Sequence, residues 1–393
     1  MILLDQPYVS DFLLETIRRH ELPVVRTTAA EAFGVAELPS AISEQQAVER
    51  ALAAEYPLAL APSESAIGWI TEHLAQTKLP EQIDRFKDKA RFRRDTAALF
   101  PGFVHREIKL TELDDFDPDS FACPFVIKPA VGFFSLGVHR VESAARWPAV
   151  RAALRSDLER VRGMFPPEVL DGSRLLLEPC IEGAEFAIDA YYDQRGDPVV
   201  LSIFEHLFAS ADDTSDRVYV TSAKIVRDNL ERFTSLLADL GKVFGVRNFP
   251  VHVELRVDAD GAIWPIEVNP LRFGGWCTTA DLAAKAYGIN PYLHLFGQLR
   301  PDWALAFRNM GDDLFGLIAL GNSTGIAGNE IPSFDYESLL ARFEQPLELR
   351  RTDYRRYPIF GFLFTRTSAA NRSELAWALR SDLREFIRNE AVN

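Results

Sequence analysis

The chain has 393 residues, 47% of them hydrophobic and 25% charged, an ordinary composition for a globular protein and enough length for two or three domains with substantial cores. Its 43 Lys and Arg against 57 Asp and Glu leave a net charge of −14. That argues against a general nucleic-acid or anionic-membrane surface, while a local basic site remains open. Cys123, Cys180 and Cys277 are widely spaced, odd in number and form no zinc or disulfide pattern, so the expected setting is reducing and cytoplasmic.

Residues 1–85 alternate short apolar runs with helical patterns. Segments 2–4, 23–26 and 58–61 read as strands, and 10–20 and 44–55 as helices with Ser10 and Ser43 as N-caps, which together imply a small parallel sheet. No basic region precedes the opening Met1-Ile2-Leu3-Leu4-Asp5, which reads as a strand rather than a signal peptide. No run approaches the ~20 apolar residues of a membrane span. A lysine-rich stretch, Phe86-Lys87-Asp88-Lys89, leads into a helix expected to end near Pro101-Gly102.

Strands are expected at 103–109, 125–128 and 174–178, with a helix over 147–162. Strands at 185–192 and 199–208 follow. Leu230, Phe233, Leu237, Leu240 and Phe244 recur at helical spacing and predict a core-packing helix over 226–244. Beyond Asn290 no motif is assignable; 314–320 and 357–365 read as buried strands and 374–388 as a helix.

Four segments carry candidate chemistry. Phe125-Val126-Ile127-Lys128 ends an apolar strand in a lysine, and a loop containing Gly132, Ser135 and Gly137 follows. Backbone N–H groups in such a loop can face phosphate oxygens, with Lys128 as an added point charge. The spacing is not that of a P-loop, and an ordinary hairpin connection is the plainer reading of the loop alone. Leu177-Glu178-Pro179-Cys180-Ile181-Glu182-Gly183-Ala184-Glu185 runs from a buried strand into a proline-stiffened connection. Unpaired backbone past the strand end could meet a planar base edge, although a crossover with solvated glutamates is simpler.

The third segment is a hairpin, Val251-His252-Val253-Glu254-Leu255-Arg256 and Ile266-Glu267-Val268-Asn269-Pro270, joined through Asp260-Gly261. With Asp260 and Gly261 as the two central turn residues, Glu254 falls opposite Glu267 and His252 opposite Asn269. Like charges so placed repel; a hard divalent cation between them removes the repulsion, and carboxylate and amide oxygens suit Mg²⁺. A solvated carboxylate pair fits the hairpin alone equally well. In the fourth segment, Arg272 stands three residues past Asn269, ahead of Gly274-Gly275, where a guanidinium could hold a carboxylate or phosphate.

In their order, spacing and polarity these segments resemble the ATP-grasp superfamily of ATP-dependent carboxylate–amine ligases, amino-acid ligases in particular, over roughly residues 85–280. The resemblance implies an α/β (α+β grasp) fold with antiparallel sheets. Residues 1–85 would form a small preceding αβ domain, 86–180 the nucleotide-lid subdomain, and 181–393 the second subdomain with a C-terminal extension. It assigns Lys89 (or Lys87) and Lys128 to the nucleotide phosphates, and Gly132, Ser135 and Gly137 to the loop over the γ-phosphate. The backbone of residues 178–181, including Glu178, Cys180 and Ile181, would take adenine, and Glu185 the ribose. Glu254, Glu267 and Asn269 would bind Mg²⁺, with Mn²⁺ an alternative.

The family pattern places arginine directly after Asn-Pro, whereas Leu271 intervenes here, so both Arg272 and Arg256 stand as the acyl-phosphate contact. The implied partners are ATP, a small carboxylate and an amine, with no nucleic acid or membrane and a homodimer as the default assembly. A kinase on the same fold and a nucleotide-binding protein without turnover are the alternatives. His252 and Glu64 are candidate substrate contacts. Trp276 and Phe273 line a substrate pocket or pack in the core.

Overall fold

Among the described residues parallel pairing is confined to the N-terminal segment, where isolated bridges join Ile2 to Val24 and Leu60, and Val25 to Ile42. The structure, a computed structural model, describes residues 1–132, 136–160, 170–210, 213 and 215–388. Helices Asp11–His20 and Glu44–Leu52 begin at the expected caps: Ser10 accepts from Leu13 N–H, and Ser43 and Gln46 form a reciprocal capping box. The lysine-rich stretch divides two helices, Leu79–Lys87 and Lys89–Asp95, because Asp88 caps the second by accepting from Arg91 N–H at 2.9 Å. That second helix ends at Asp95, short of the expected Pro101.

Four strands, β1 (Arg106–Lys109), β2 (Phe125–Val131), β3 (His139–Val141) and β4 (Asp171–Pro179), form an antiparallel sheet in the order β1-β4-β2-β3. Helix Trp147–Arg160 closes one face, with Phe125, Ile127, Leu154, Leu175 and Leu177 in the core between them. The larger antiparallel sheet uses β5 (Ala184–Tyr192), β6 (Pro198–Leu207), β7 (Val218–Thr221), β8 (Phe249–Val257), β9 (Ile263–Pro270) and β10 (Leu314–Gly321). After a short β11 (Ser333–Phe334), β12 (Gln345–Arg351) and β13 (Ile359–Thr367) complete it. Its order is β12-β13-β10-β7-β6-β5-β8-β9, so the C-terminal residues extend the same sheet that carries the hairpin. This is the α+β architecture with antiparallel sheets that the resemblance implies.

Helix Ala223–Phe244 starts at the Ser222 cap and stops at Gly245, whose φ of 62° leaves helical space. Its apolar stripe, including Val226, Phe233 and Leu240, is buried. The helix expected over 374–388 is corrected to Ser373–Arg380. Beyond it, β14 (Ile387–Arg388) pairs with β11, and Phe386 is buried against Phe334 and Trp377, so packing overrides the helical pattern. Among the described residues no helix is long and apolar enough to cross a membrane.

The hairpin turn also differs from expectation. Gly261 N–H bonds the Asp258 carbonyl at 3.0 Å, and Asp258 N–H bonds Ala262 at 3.0 Å. Of the two supposed central residues only Gly261 has positive φ, 83°. This is a three-residue loop, 259–261, that ends in a left-handed glycine, not a two-residue primed turn. Asp258 stabilises it by accepting from Ala262 N–H at 2.8 Å and Trp264 Nε1 at 2.8 Å. Val257 therefore faces Ile263, one position off the expected register, until a bulge beside Glu254 restores Glu254 opposite Glu267 and His252 opposite Asn269.

Gly183 joins β4 to β5 at φ 115°, and a Cβ there would lie 2.0 Å from the Val257 carbonyl oxygen. Gly183→Ala combines backbone strain with a backbone clash and should destabilise the fold by about 2–4 kcal/mol. Urea unfolding with an unchanged midpoint would contradict this.

Candidate active site

Direct cross-strand partners share a sheet face, so the register builds one polar surface across five strands. One row runs Asn269, His252, Asp189, Ser202; the next runs Glu267, Glu254, Ala187; a third runs Arg256, Glu185, His206 and on to Tyr219 in β7. The odd-numbered residues Val251, Val253 and Leu255 of β8 go into the core instead.

The hairpin carboxylates each have a cation. Lys89 Nζ lies 3.1 Å from Glu267 Oε2 and donates to the Gly132 carbonyl at 3.1 Å, tying β9 to the start of the glycine-containing loop. His252 Nε2 lies 3.5 Å from Glu254 Oε1, while its Nδ1 lies 2.7 Å from Asp189 Oδ1. Burial pushes His252 down, but Asp189 and Glu254 outweigh it and raise its pKa to about 9. Burial raises Glu254 and the charged His252 outweighs that, so its carboxyl sits below the usual range.

Lys128, on β2, pairs with Glu178 on β4 at 2.7 Å, and Arg93 Nε takes the other Glu178 oxygen at 2.5 Å. All three side chains are buried. Burial would raise Glu178, yet the two cations hold it at about 2; burial in turn lowers the Lys128 ammonium against the pull of Glu178. Arg93 was not anticipated, although its position four residues after Lys89 on one helix puts both on the same face.

Glu185 accepts from His206 Nδ1 and Arg256 Nε, both at 2.8 Å. Arg256 also donates to the Ile181 carbonyl at 2.5 Å, and Cys180 N–H reaches the Pro124 carbonyl at 3.4 Å. The backbone past β4 is therefore partly engaged rather than free, and among the described residues the Cys180 carbonyl and Ile181 N–H are left for a base edge. His206 was missed by sequence reasoning; its ring stacks on Tyr219 with centroids 4.1 Å apart.

Leu271, the residue that displaces Arg272, explains itself structurally. It is fully buried at φ 57°, its N–H bonds Pro250 at 2.8 Å, and its carbonyl accepts from Ala61 N–H at 2.7 Å. The extra residue thus docks the hairpin end on the N-terminal segment. Arg272 then meets Glu64, three residues past Ala61, with Nη2 at 3.0 Å and Nε at 3.2 Å from Oε1. Lys87 pairs with the other oxygen of Glu64. Burial raises Glu64 and these two cations overcome it, holding it at about 2. Arg256 and Arg272 are consequently at different ends of the surface, one with Glu185 and one with Glu64. Phe273 is buried in the core beside Tyr292, whereas the half-buried Trp276 stacks on Tyr8 and meets Tyr357 edge-on.

Gly132 and Gly137 flank the loop between β2 and β3; Ser135 lies outside the described residues. Among the described residues no three His, Cys, Asp or Glu side chains are grouped to hold a metal. The hard-oxygen set is two carboxylates and an amide, Glu254, Glu267 and Asn269, which fits Mg²⁺ donor chemistry.

A model of the ATP-grasp domain matches residues 121–280. No curated protein matches the chain. Among solved structures, an L-amino acid ligase from Bacillus licheniformis has a TM-score of 0.67 at 20% identity, covering 100% of this chain and 98% of that one. N5-carboxyaminoimidazole ribonucleotide synthetase from Thermotoga maritima has a TM-score of 0.63 at 13% identity, covering 100% and 99%. Biotin carboxylase from Campylobacter jejuni, in a β-γ-ATP complex, has a TM-score of 0.61 at 13% identity, covering 93% and 87%. At these identities the likeness is one of fold.

Because Glu64 is held at about 2, below its ordinary 4.5, its contribution to stability is complete above pH 4.5 and is lost as the pH falls toward 2. Glu64→Gln leaves Lys87 and Arg272 buried without a counter-charge and should cost about 3 kcal/mol at pH 7. The variant should also depend less on pH between 4.5 and 2 than the wild type. Urea titrations across that window check both; equal acid sensitivity in the two proteins would remove Glu64 as the titrating group.

Proposed function

We propose that this chain, residues 121–280 of which match a model of the ATP-grasp domain, is an ATP-grasp enzyme, an ATP-dependent ligase that activates a small carboxylate as an acyl phosphate and joins it to an amine. An amino acid or related acid is the preferred carboxylate class. The observation that carries the reading is the convergence, at one end of the polar surface, of the Glu254–Glu267–Asn269 oxygen set with Lys89 and with the Glu64-held Arg272.

Glu254, Glu267 and Asn269 would hold Mg²⁺, or Mn²⁺, whose contribution is to neutralise charge on the triphosphate. Lys128 and Lys89 place ammonium groups for the phosphate oxygens, and the loop bearing Gly132, Ser135 and Gly137 excludes water above them. Glu185 receives the ribose hydroxyls, and the Cys180 carbonyl and Ile181 N–H the adenine edge. The Glu178 side chain is taken up by Lys128 and Arg93, so its part is to fix those cations. Arg272 orients the acceptor carboxylate. An oxygen of that carboxylate attacks the γ-phosphorus as the bond to ADP breaks. The amine nitrogen then attacks the acyl carbon, phosphate leaves with the electrons of the C–O bond, and the nitrogen gives up its proton.

Glu267→Gln and Lys128→Ala should each abolish ATP turnover in a protein that still unfolds cooperatively; wild-type activity in either removes the site assignment. Arg272→Lys should cut kcat about a hundredfold or more with little change in KM for ATP, because its planar fork is lost at the acceptor. Arg256→Lys should instead raise KM for ATP. The reverse pattern would exchange the two roles. A panel of carboxylates crossed with amines, read by phosphate release and product mass, tests the reaction class; ADP release needing no amine would favour a kinase.

A further inference from the structure

Asp189 is fully buried on β5, directly opposite His252, and none of the roles above uses it. One oxygen, Oδ1, accepts from His252 Nδ1 at 2.7 Å and from Gly274 N–H at 3.0 Å; the other is buried without a partner among the described residues. Its two donors belong to different parts of the site. His252 turns its second nitrogen to Glu254 at 3.5 Å. Gly274 stands two residues past Arg272 in a loop where Leu271, Trp276 and Cys277 all hold positive φ, a concentration of strain that needs fixed anchors. The same N–H is shared with Thr279 Oγ1 at 2.8 Å, and a Cβ at Gly274 would come within 2.2 Å of that hydroxyl, so the loop is pressed against the first turn of helix Thr278–Tyr287.

An interior carboxylate is costly to bury, and a single oxygen bonded to both segments fixes their relative position. We propose that Asp189 and His252 are positioning residues: Asp189 orients the His252 ring so that Nε2 holds the Glu254 carboxylate in place for a metal, and through Gly274 it holds the Arg272 loop at a set distance from that carboxylate. The first half rests on the assignment of Glu254 as a metal ligand; the second rests only on the contacts of Gly274. Orienting partners behind ligating groups typically change metal affinity by about ten- to a hundredfold.

The test uses full-length Asp189→Ala and His252→Gln with two readouts. The first is calorimetric ATP binding as Mg²⁺ is varied; the second is tryptic cleavage after Arg272 with no ligand present. Both variants should raise the half-saturating Mg²⁺ about tenfold or more, while Asp189→Ala alone speeds the cleavage. Unchanged Mg²⁺ dependence in both variants overturns the link to Glu254. Equal cleavage in the two variants overturns the link to the arginine loop. If Asp189→Ala does not fold, Asp189→Leu, close in volume and with no acceptor for either donor, takes its place under the same two criteria. Wild-type protein that binds ATP with Mg²⁺ yet joins no carboxylate to any amine would refute the ligase reading while leaving both readouts intact.

Discussion

Two carboxylates that face each other across neighbouring strands repel, and the surroundings of Glu254 and Glu267 are arranged around that repulsion. Each has its own cation: His252 beside Glu254 and Lys89 beside Glu267. His252 comes from β8 itself, two residues before Glu254, whereas Lys89 comes from outside the hairpin, so the balance at Glu267 depends on tertiary structure. Lys89 reaches over from the helix that precedes the four-stranded sheet and also touches the Gly132 carbonyl. One ammonium thereby connects the metal-binding candidate residues, the glycine-containing loop and the helix that supplies Arg93.

The same device recurs at Glu178, shared by Lys128 and Arg93, and at Glu64, shared by Lys87 and Arg272. In both, one buried carboxylate serves two cations, so a surplus of positive charge is held in place inside a chain whose net charge is −14. Such clusters are weak evidence for stability, because desolvation offsets most of the Coulombic gain. They are stronger evidence for preorganisation: fixed cations need not reorient as negative charge develops beside them. The net acidity of the molecule is therefore compatible with local cation pairs around Glu178 and Glu64, and bulk charge carries little information about them.

The parts of the site legible in the sequence are those with a local period. Alternation in β8 placed His252, Glu254 and Arg256 on one face, and Asn-Pro followed by Arg and Gly-Gly marked the loop. Arg93 and Asp189 obey equally local rules, four residues from Lys89 along a helix and four from Glu185 along a strand. Their spacing was visible; which face they shared with the site was not, because that depends on how helix and strand dock. Glu64 stood out only as a candidate substrate contact, and its pairing with Arg272 spans 208 residues of sequence. The C-terminal strands were readable as strands, but β10 lies between β7 and β13, a long-range insertion that no local pattern encodes.

The hairpin register was anticipated correctly at Glu254 for a reason that does not hold at the turn. Asp-Gly marks where the chain reverses, but the Asp258 side chain captures N–H groups two and four residues on and enlarges the loop, which shifts the inner pairs by one. Had that shift persisted, Glu254 would face Ile266, and Glu267 would point to the opposite side of the sheet with the core residues. The bulge between Leu255–Pro265 and Glu254–Glu267 absorbs the extra residue and returns Glu267 and Asn269 to the polar face. A bulge disrupts the ladder, and what this one achieves is the aim of two side chains. The opposition of the carboxylates is thus not a by-product of a regular hairpin, since the regular continuation of this turn would have separated them.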